Sequence, residues 1–316
     1  MTEMEWWDGL LRGDAFLASL EHARVIVLGH ARQAAAATRL LRQAGADVRV
    51  EPMFTRADLS GVNLVVVTAG GAVDSPAVAA ARAAGVTVLG ELDLGWCATE
   101  ADTLAIVGPG ADGAVRFAAA VLGRQGREVV SAGENETGLA DWPVAFSPDG
   151  LILVAPSRAE LATVQMFRPR VAVVMPGAGL MPKAALFANQ TPRDCLVLDA
   201  EDADARRLAH EARASVLWCS VAGALDHGVY VAGGRIASRL NGHVEEICPV
   251  AGLSTAVLPA ALAAVACALW VGMAPDAIGA TLAAGRLLTP AVARRIAGSR
   301  SKVDVWTGRG AALATT

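Results

Sequence analysis

Lysine is almost absent from this chain. Lysine and arginine together number 27 among its 316 residues, and the lysines are Lys183 and Lys302 alone. Against 31 acids this leaves a net charge of −4, with no basic stripe of the kind a nucleic-acid partner requires. The scarcity has a second consequence: a phosphate-binding loop that relies on a lysine has two positions in the whole chain to draw on. There is also no CxxC spacing. Cys97, Cys195, Cys219, Cys248 and Cys267 stand apart, give no zinc or dithiol motif, and read as small buried residues in a reducing compartment. No basic segment followed by an apolar core opens the chain; MTEMEWWDGLLRGD is acidic, so no signal peptide is expected. Charge is missing altogether from residues 248–275, which reach membrane-spanning length. They are mostly Ala, Val and Gly and are interrupted by Pro259, so we expect a buried helix, no membrane span and a cytoplasmic protein. Internal repeats and low-complexity linkers are lacking too.

What is present is an apolar, globular chain: 54% hydrophobic and 18% charged residues exclude disorder, and the length suits two domains. RVIVL at 24–28 is a buried-strand run ending at Gly29, followed by a helical stretch to Gly45 and a second strand ending at Glu51. NLVVVTAGG continues as a third strand and turn, DSPAVAAARAAG as a helix with Pro76 in its first turn, and VTVLGELDL (86–94) as a strand leading out. Such alternation predicts a parallel, doubly wound sheet closing near residue 100. A second unit opens with TLAIVGPGADGAVRFAAAVLGRQG, again strand, glycine-rich turn and helix. Buried-strand runs follow at REVVSAG, GLILVAPS, RVAVVMPG, RDCLVLDA and ASVLWCS, then a hairpin around Gly233-Gly234, the uncharged helix and one more helix at PDAIGATLAAG.

Residue chemistry alone marks few candidates. The turn Gly29–Gln33 precedes a helix whose N-terminus attracts pyrophosphate through its dipole and free N–H groups, and Arg32 can add a charge-assisted contact. His30 lies in that turn, whereas His22, His210, His227 and His243 are scattered. Glu201-Asp202-Asp204 and Glu245-Glu246 read as solvated faces, and Trp6-Trp7 as a packing anchor.

Three stretches carry a resemblance to a known family: VVVTAGGAVDSPAVAAARAAGVTVLGELDL (65–94), FANQTPRDCLVLDAEDA (187–203) and AALAAVACALWVGMAPDAI (260–278). Over residues 23–300 the chain resembles the Mur peptide ligases, with the branch that adds D-glutamate to UDP-N-acetylmuramoyl-L-alanine the nearest in wording. The resemblance implies an α/β fold with a Rossmann-like N-terminal domain at 1–100, a P-loop-like central domain at 101–300 and a tail at 301–316. The family's third, ATP-covering domain is expected to be missing.

Carried over residue by residue, the resemblance is uneven. Gly29, His30, Arg32 and Gln33 fall where the family binds uridine diphosphate, Glu51 at its acidic uridine contact, and Thr68 and Gly70 at its SPG-type turn. The family's ATP loop reads TGTNGKT. The matching stretch VGPGADGAVR keeps Gly108, Gly110 and Gly113, has no lysine, brings in Asp112, places Ala114 or Val115 at the Mg²⁺ hydroxyl, and offers Arg116 as its sole base. Val154 and Ala155 stand where the family has a metal-binding Glu, with only Ser157 kept from the Ser-Ser pair after it and Glu160 farther along. Its NxTxDHLD stretch becomes residues 174–183, and its HN-x-x-N becomes Ala256, Val257 and Ala260. Lys183 matches the lysine that the family carbamylates, but with that metal's other ligands replaced it is expected to be a surface lysine capping a helix.

The expected function is therefore a catalytically inactive Mur-ligase-like protein with a binding, scaffold or regulatory role in peptidoglycan precursor synthesis. Neither ATP nor Mg²⁺ is expected, nor any metal site or catalytic residue. A UDP-sugar is the expected ligand, and a protein partner or second copy is expected on the face the third domain would cover. An active or split D-glutamate-adding ligase is the alternative, and a nucleotide-dependent oxidoreductase a third.

Overall fold

The computed structural model describes residues 11–30, 34–68, 74–133, 139–141, 146–179, 183–251 and 253–284. Trp6-Trp7 and the tail at 301–316 lie outside these residues. The chain runs α1 (Asp14–Ser19), β1 (Arg24–Leu28), α2 (Ala35–Gln43), β2 (Asp47–Glu51), β3 (Leu64–Val67), α3 (Pro76–Ala83), β4 (Thr87–Gly90) and α4 (Glu91–Cys97). The four strands form one parallel sheet in the order β2-β1-β3-β4. β1 and β3 are buried along nearly their whole length, as expected where helices cover both faces of a parallel sheet.

The second sheet begins with β5 (Asp102–Val107), α5 (Ala111–Leu122), β6 (Val129–Gly133), β7 (Leu151–Ala155), α6 (Arg158–Thr163) and β8 (Val171–Val174). It continues with α7 (Lys183–Phe187), β9 (Cys195–Asp199), α8 (Ala205–Glu211), β10 (Ser215–Ser220), β11 (Gly228–Ala232), β12 (Arg235–Leu240), β13 (His243–Pro249), α9 (Leu258–Trp270) and α10 (Pro275–Ala283). Strand order is β13-β12-β11-β10-β9-β8-β5-β7-β6, parallel from β6 to β11 and antiparallel across the last two pairs. The expected hairpin is the β11–β12 turn at Gly233-Gly234.

The uncharged stretch 248–275 resolves into the end of β13, a turn and the 13-residue α9, enclosed with α5 and α10 in an apolar layer on the second sheet. Among the described residues no helix is long and apolar enough to cross a membrane. All five cysteines are buried and unpaired. Burial pushes the thiols of Cys97 and Cys267 up to about 12, so they stay neutral packing groups.

One expectation fails in the first sheet. Residues 86–94 are not a single strand: β4 stops at Gly90, and Glu91 opens α4. The reason is Asp93, whose carboxylate accepts the Gly90 N–H at 3.3 Å, as an acid at the third helical position does. All seven residues of α4 are buried. Leu92, Leu94, Trp96 and Cys97 belong to a single apolar cluster that runs from Val25, Val27 and Val66 of the first sheet to Ala105, Val107 and Ile152 of the second. The short turn Leu139–Asp141 packs directly on α4: a Cβ at Gly95 would stand 2.7 Å from both Ala140 N and the Leu139 carbonyl carbon. Gly95→Ala should therefore destabilise the protein. Overpacking costs about 1–3 kcal/mol, whereas the helix-propensity gain is at most about 1 kcal/mol. Urea unfolding should show the loss, and an unchanged midpoint would mean that the turn gives way freely.

Candidate functional site

Ligand crevices in doubly wound sheets open at the carboxyl ends of the strands, where successive connections leave in opposite directions. In the first sheet that switch lies between β1 and β3, because β1 is followed by β2 on one side and β3 on the other. Gly29 leaves β1 at this point. Its N–H donates to the Glu51 carbonyl at 3.0 Å, and Thr68 donates to the Leu28 carbonyl through both its N–H and its Oγ1, each at 3.1 Å. Gly29 has φ +152°, and a Cβ there would run into Thr68 Oγ1. Gly29, Glu51 and Thr68, singled out separately in the sequence, thus meet at one point. Thr68 is buried, Glu51 half-buried and His30 exposed beside them. The His30 carbonyl accepts the Ala34 N–H at 2.9 Å, leading into α2. Arg32, Gln33 and Gly70 lie outside the described residues.

The second switch lies at the end of β5, which has β7 on one side and β8 on the other. Here Gly110, at φ +75°, turns the chain into α5, with no side chain capping the helix. Gly108 is pressed by Met175 and Ala178 from the loop after β8, whereas Gly113 faces open space. A backbone cradle for an anion is therefore present. The side chains around it are another matter. Asp112 puts a negative charge in the first helical turn, Ala114 and Val115 are buried apolar residues, and Arg116 is half-buried and engaged within the fold. On the adjoining β7, Val154 and Ala155 are buried, and Ser157 caps α6 by accepting the Glu160 N–H at 3.2 Å. Val257 precedes the first residue of α9, with Ala256 before it and Ala260 within the helix.

Lys183 departs from the surface-lysine reading. It is the first residue of α7, only 5% exposed, and its Nζ lies 3.4 Å from Asp204 Oδ2. The acidic stretch at 201–204 is also more than a solvated face. Glu201 accepts from Ser220 Oγ at 2.6 Å and from the Val221 N–H at 3.1 Å, tying the ends of β9 and β10 together. Among the described residues no group of three or more His, Cys, Asp or Glu is placed to hold a metal ion. Exposed large apolar residues among the described residues are Leu11, Met53, Val221 and Val244, of which Val244 lies in β13 and the others outside helices and strands.

Sequence reasoning missed the two acids of α4. Glu91 is 7% exposed, and burial, reinforced by Glu160 and Asp141, pushes its carboxyl up to about 8. Asp93 is wholly buried. Burial raises its pKa too, while N–H groups of Met166, Phe167, Gln165 and Gly90 pull it back. The available signal was GELDLGWC itself, with two acids at helix-start spacing amid apolar neighbours.

A parallel sheet and a largely parallel one, each with a glycine turn at its switch point, define an α/β architecture of the doubly wound kind. No family model matches the chain. It is 30% identical over 306 residues to a UDP-N-acetylmuramoylalanine–D-glutamate ligase of Pelotomaculum thermopropionicum, covering 84% of this chain and 67% of that protein. To the ligase of the same name from Geobacillus kaustophilus it is 29% identical, over 83% of this chain and 66% of the other. The chain belongs to the Mur ligase family and spans about two thirds of the length of these curated relatives. Among solved structures, the UDP-N-acetylmuramate:L-alanyl-gamma-D-glutamyl-meso-diaminopimelate ligase of Neisseria meningitides superposes with a TM-score of 0.53 at 15% identity, over 84% of this chain and 98% of that one. A murein peptide ligase of Psychrobacter arcticus gives 0.51, also at 15% identity, over 83% and 68%. At such identities the two structures speak for the fold, which is the α/β fold expected.

Family membership overturns one expectation. Mur ligases depend on ATP and Mg²⁺, so the expectation that neither has a place here does not stand. The side chains at 108–116 do not remove the cofactors from the family's chemistry.

The raised Glu91 pKa has a testable sign. A carboxyl that ordinarily titrates near 4.5 but is held to about 8 in the fold binds more protons folded than unfolded between those values. Stability is thus full at acidic pH, falls as pH rises from about 4.5 to 8, and stays reduced above that, with a slope of at most about 1.4 kcal/mol per pH unit. Glu91→Gln should remove this slope and make the protein more stable than wild type at pH 8 but not at pH 4.5. Urea unfolding at the two pH values checks it, and parallel pH profiles for the two proteins would refute the assignment.

Proposed function

We propose that this chain is a binding member of the D-glutamate-adding branch of the family. In this reading, residues 1–100 hold a UDP-N-acetylmuramoyl precursor at Gly29, His30, Arg32, Gln33, Glu51, Thr68 and Gly70. Residues 101–300 serve as its platform in cytoplasmic peptidoglycan precursor synthesis without completing the ligase step. One observation carries the proposal: Gly29, Glu51 and Thr68 meet at the switch point of the first sheet, while Asp112 lies in the first turn of α5 at the second.

A second reading is favoured by Lys183, which is enclosed at the position the family carbamylates. On that reading the chain is part of a working ligase. Two measurements separate the readings, with ATP and Mg²⁺ present in both because the family uses them. Calorimetry with UDP-N-acetylmuramoyl-L-alanine is expected to show binding that weakens at least about tenfold in Gly29→Ala, where a Cβ forces Thr68 aside. Phosphate release with the same precursor and D-glutamate is expected to stay at background. Turnover that disappears in Arg116→Ala would establish the second reading, and absence of precursor binding would remove the first.

A further inference from the structure

The junction between the two sheets is built unlike a hinge. Linkers that let domains move are exposed and make few contacts. Here Ala98, Thr99 and Ala101 are at most 9% exposed, with Glu100 alone turned to solvent, and Thr99 Oγ1 accepts the Ala101 N–H at 3.1 Å. Arg12, ahead of α1, straps the same segment: its guanidinium donates to the carbonyls of Trp96 at 3.3 Å and Ala101 at 3.2 Å and lies 4.3 Å from the centre of the Trp96 ring. The Gly13 N–H donates to the Cys97 carbonyl at 2.9 Å.

Asp93 completes the joint from the other side. Its Oδ1 accepts the N–H groups of Met166 at 2.9 Å and Phe167 at 2.8 Å, and its Oδ2 accepts those of Gln165 at 3.0 Å and Gly90 at 3.3 Å. Three of these donors lie in the connection between α6 and β8, more than 70 residues along the chain. Gln165 answers by donating from Nε2 to the Val88 carbonyl at 2.6 Å, and Asn189 Nδ2 holds the Gln165 and Phe167 carbonyls at 3.0 and 3.2 Å.

We infer that Asp93 is a latch that fuses the two sheets into one rigid body, so that the space between their switch points is formed before any ligand arrives and does not close around it by movement at residues 98–101. The inference does not depend on what the crevice binds. A carboxylate gathered by four backbone donors cannot leave them for a second arrangement without exposing all four and itself, and the 98–101 segment has no slack with which to follow.

Hydrogen exchange of the ligand-free full chain tests this. In the wild type, the amides of Gln165, Met166 and Phe167 should exchange as slowly as those of the central strands β5 and β8. Asp93→Asn, which keeps the shape but replaces one acceptor oxygen with a donor, should speed them on the order of 100-fold while leaving β5 and β8 protected. Distances between one fluorophore pair spanning the sheets should be single-valued in the wild type and unchanged by UDP-N-acetylmuramoyl-L-alanine. Wild-type amides at 165–167 that exchange like a loop, or two distance populations in the wild type, would overturn the inference. This holds even if the variant fails to fold, because both readings come from the wild type.

Discussion

A carboxylate taken wholly out of water is costly unless hydrogen bonds replace its hydration. At Asp93 four backbone N–H groups offset part of that cost, burial still holding its pKa raised, and the donors come from both halves of the molecule. This arrangement ends β4, starts α4 and fixes the chain entering β8, so one side chain sets where the first sheet stops and how the second is approached. Apolar packing alone would not achieve that. The cluster beneath α4 runs continuously through both sheets, but hydrophobic contact is non-directional and tolerates sliding. The directional bonds choose a single arrangement, and Arg12 and Gly95 hold it from outside and inside.

From that joint the two switch points follow as consequences of strand order. β1 and β5 each have strands on both sides and each ends at a glycine with positive φ, Gly29 after β1 and Gly108 after β5. The two crevices are furnished differently. The first is drawn tight by backbone and hydroxyl hydrogen bonds around Gly29. Around the second stand Asp112, the buried Ala114 and Val115, and the half-buried Arg116, and the neighbouring Ser157 caps a helix.

Much of this was legible in the sequence, because the strands are buried on both faces and their apolar runs are uninterrupted. The β1 to β3 alternation, the hairpin at Gly233-Gly234 and the enclosed α9 could be read from period and punctuation alone. Gly29, Glu51 and Thr68 were found through the resemblance; only the strand pairing shows why they meet. The failures share a cause. GELDL reads as the end of a strand because β4 runs straight into it, and what makes it a helix is a set of donors from residues 165–167 that no local window contains. Lys183 reads as a surface residue because lysine usually is one; its enclosure depends on the packing of α7 and on Asp204, twenty-one positions later. The role of Glu91 was hidden similarly, since the acids around it arrive from α6 and from the turn at Leu139–Asp141.

The enclosure of Lys183 also governs how this protein meets reagents. Of its two side-chain amines, one sits behind a carboxylate at the start of α7, leaving Lys302 as the other side-chain target for amine-directed chemistry. Acylating dyes, lysine-bridging cross-linkers and lysine-specific proteases therefore find almost no purchase on the folded sheets. Any label that does attach to Lys183 reports that α7 has come away from its neighbours.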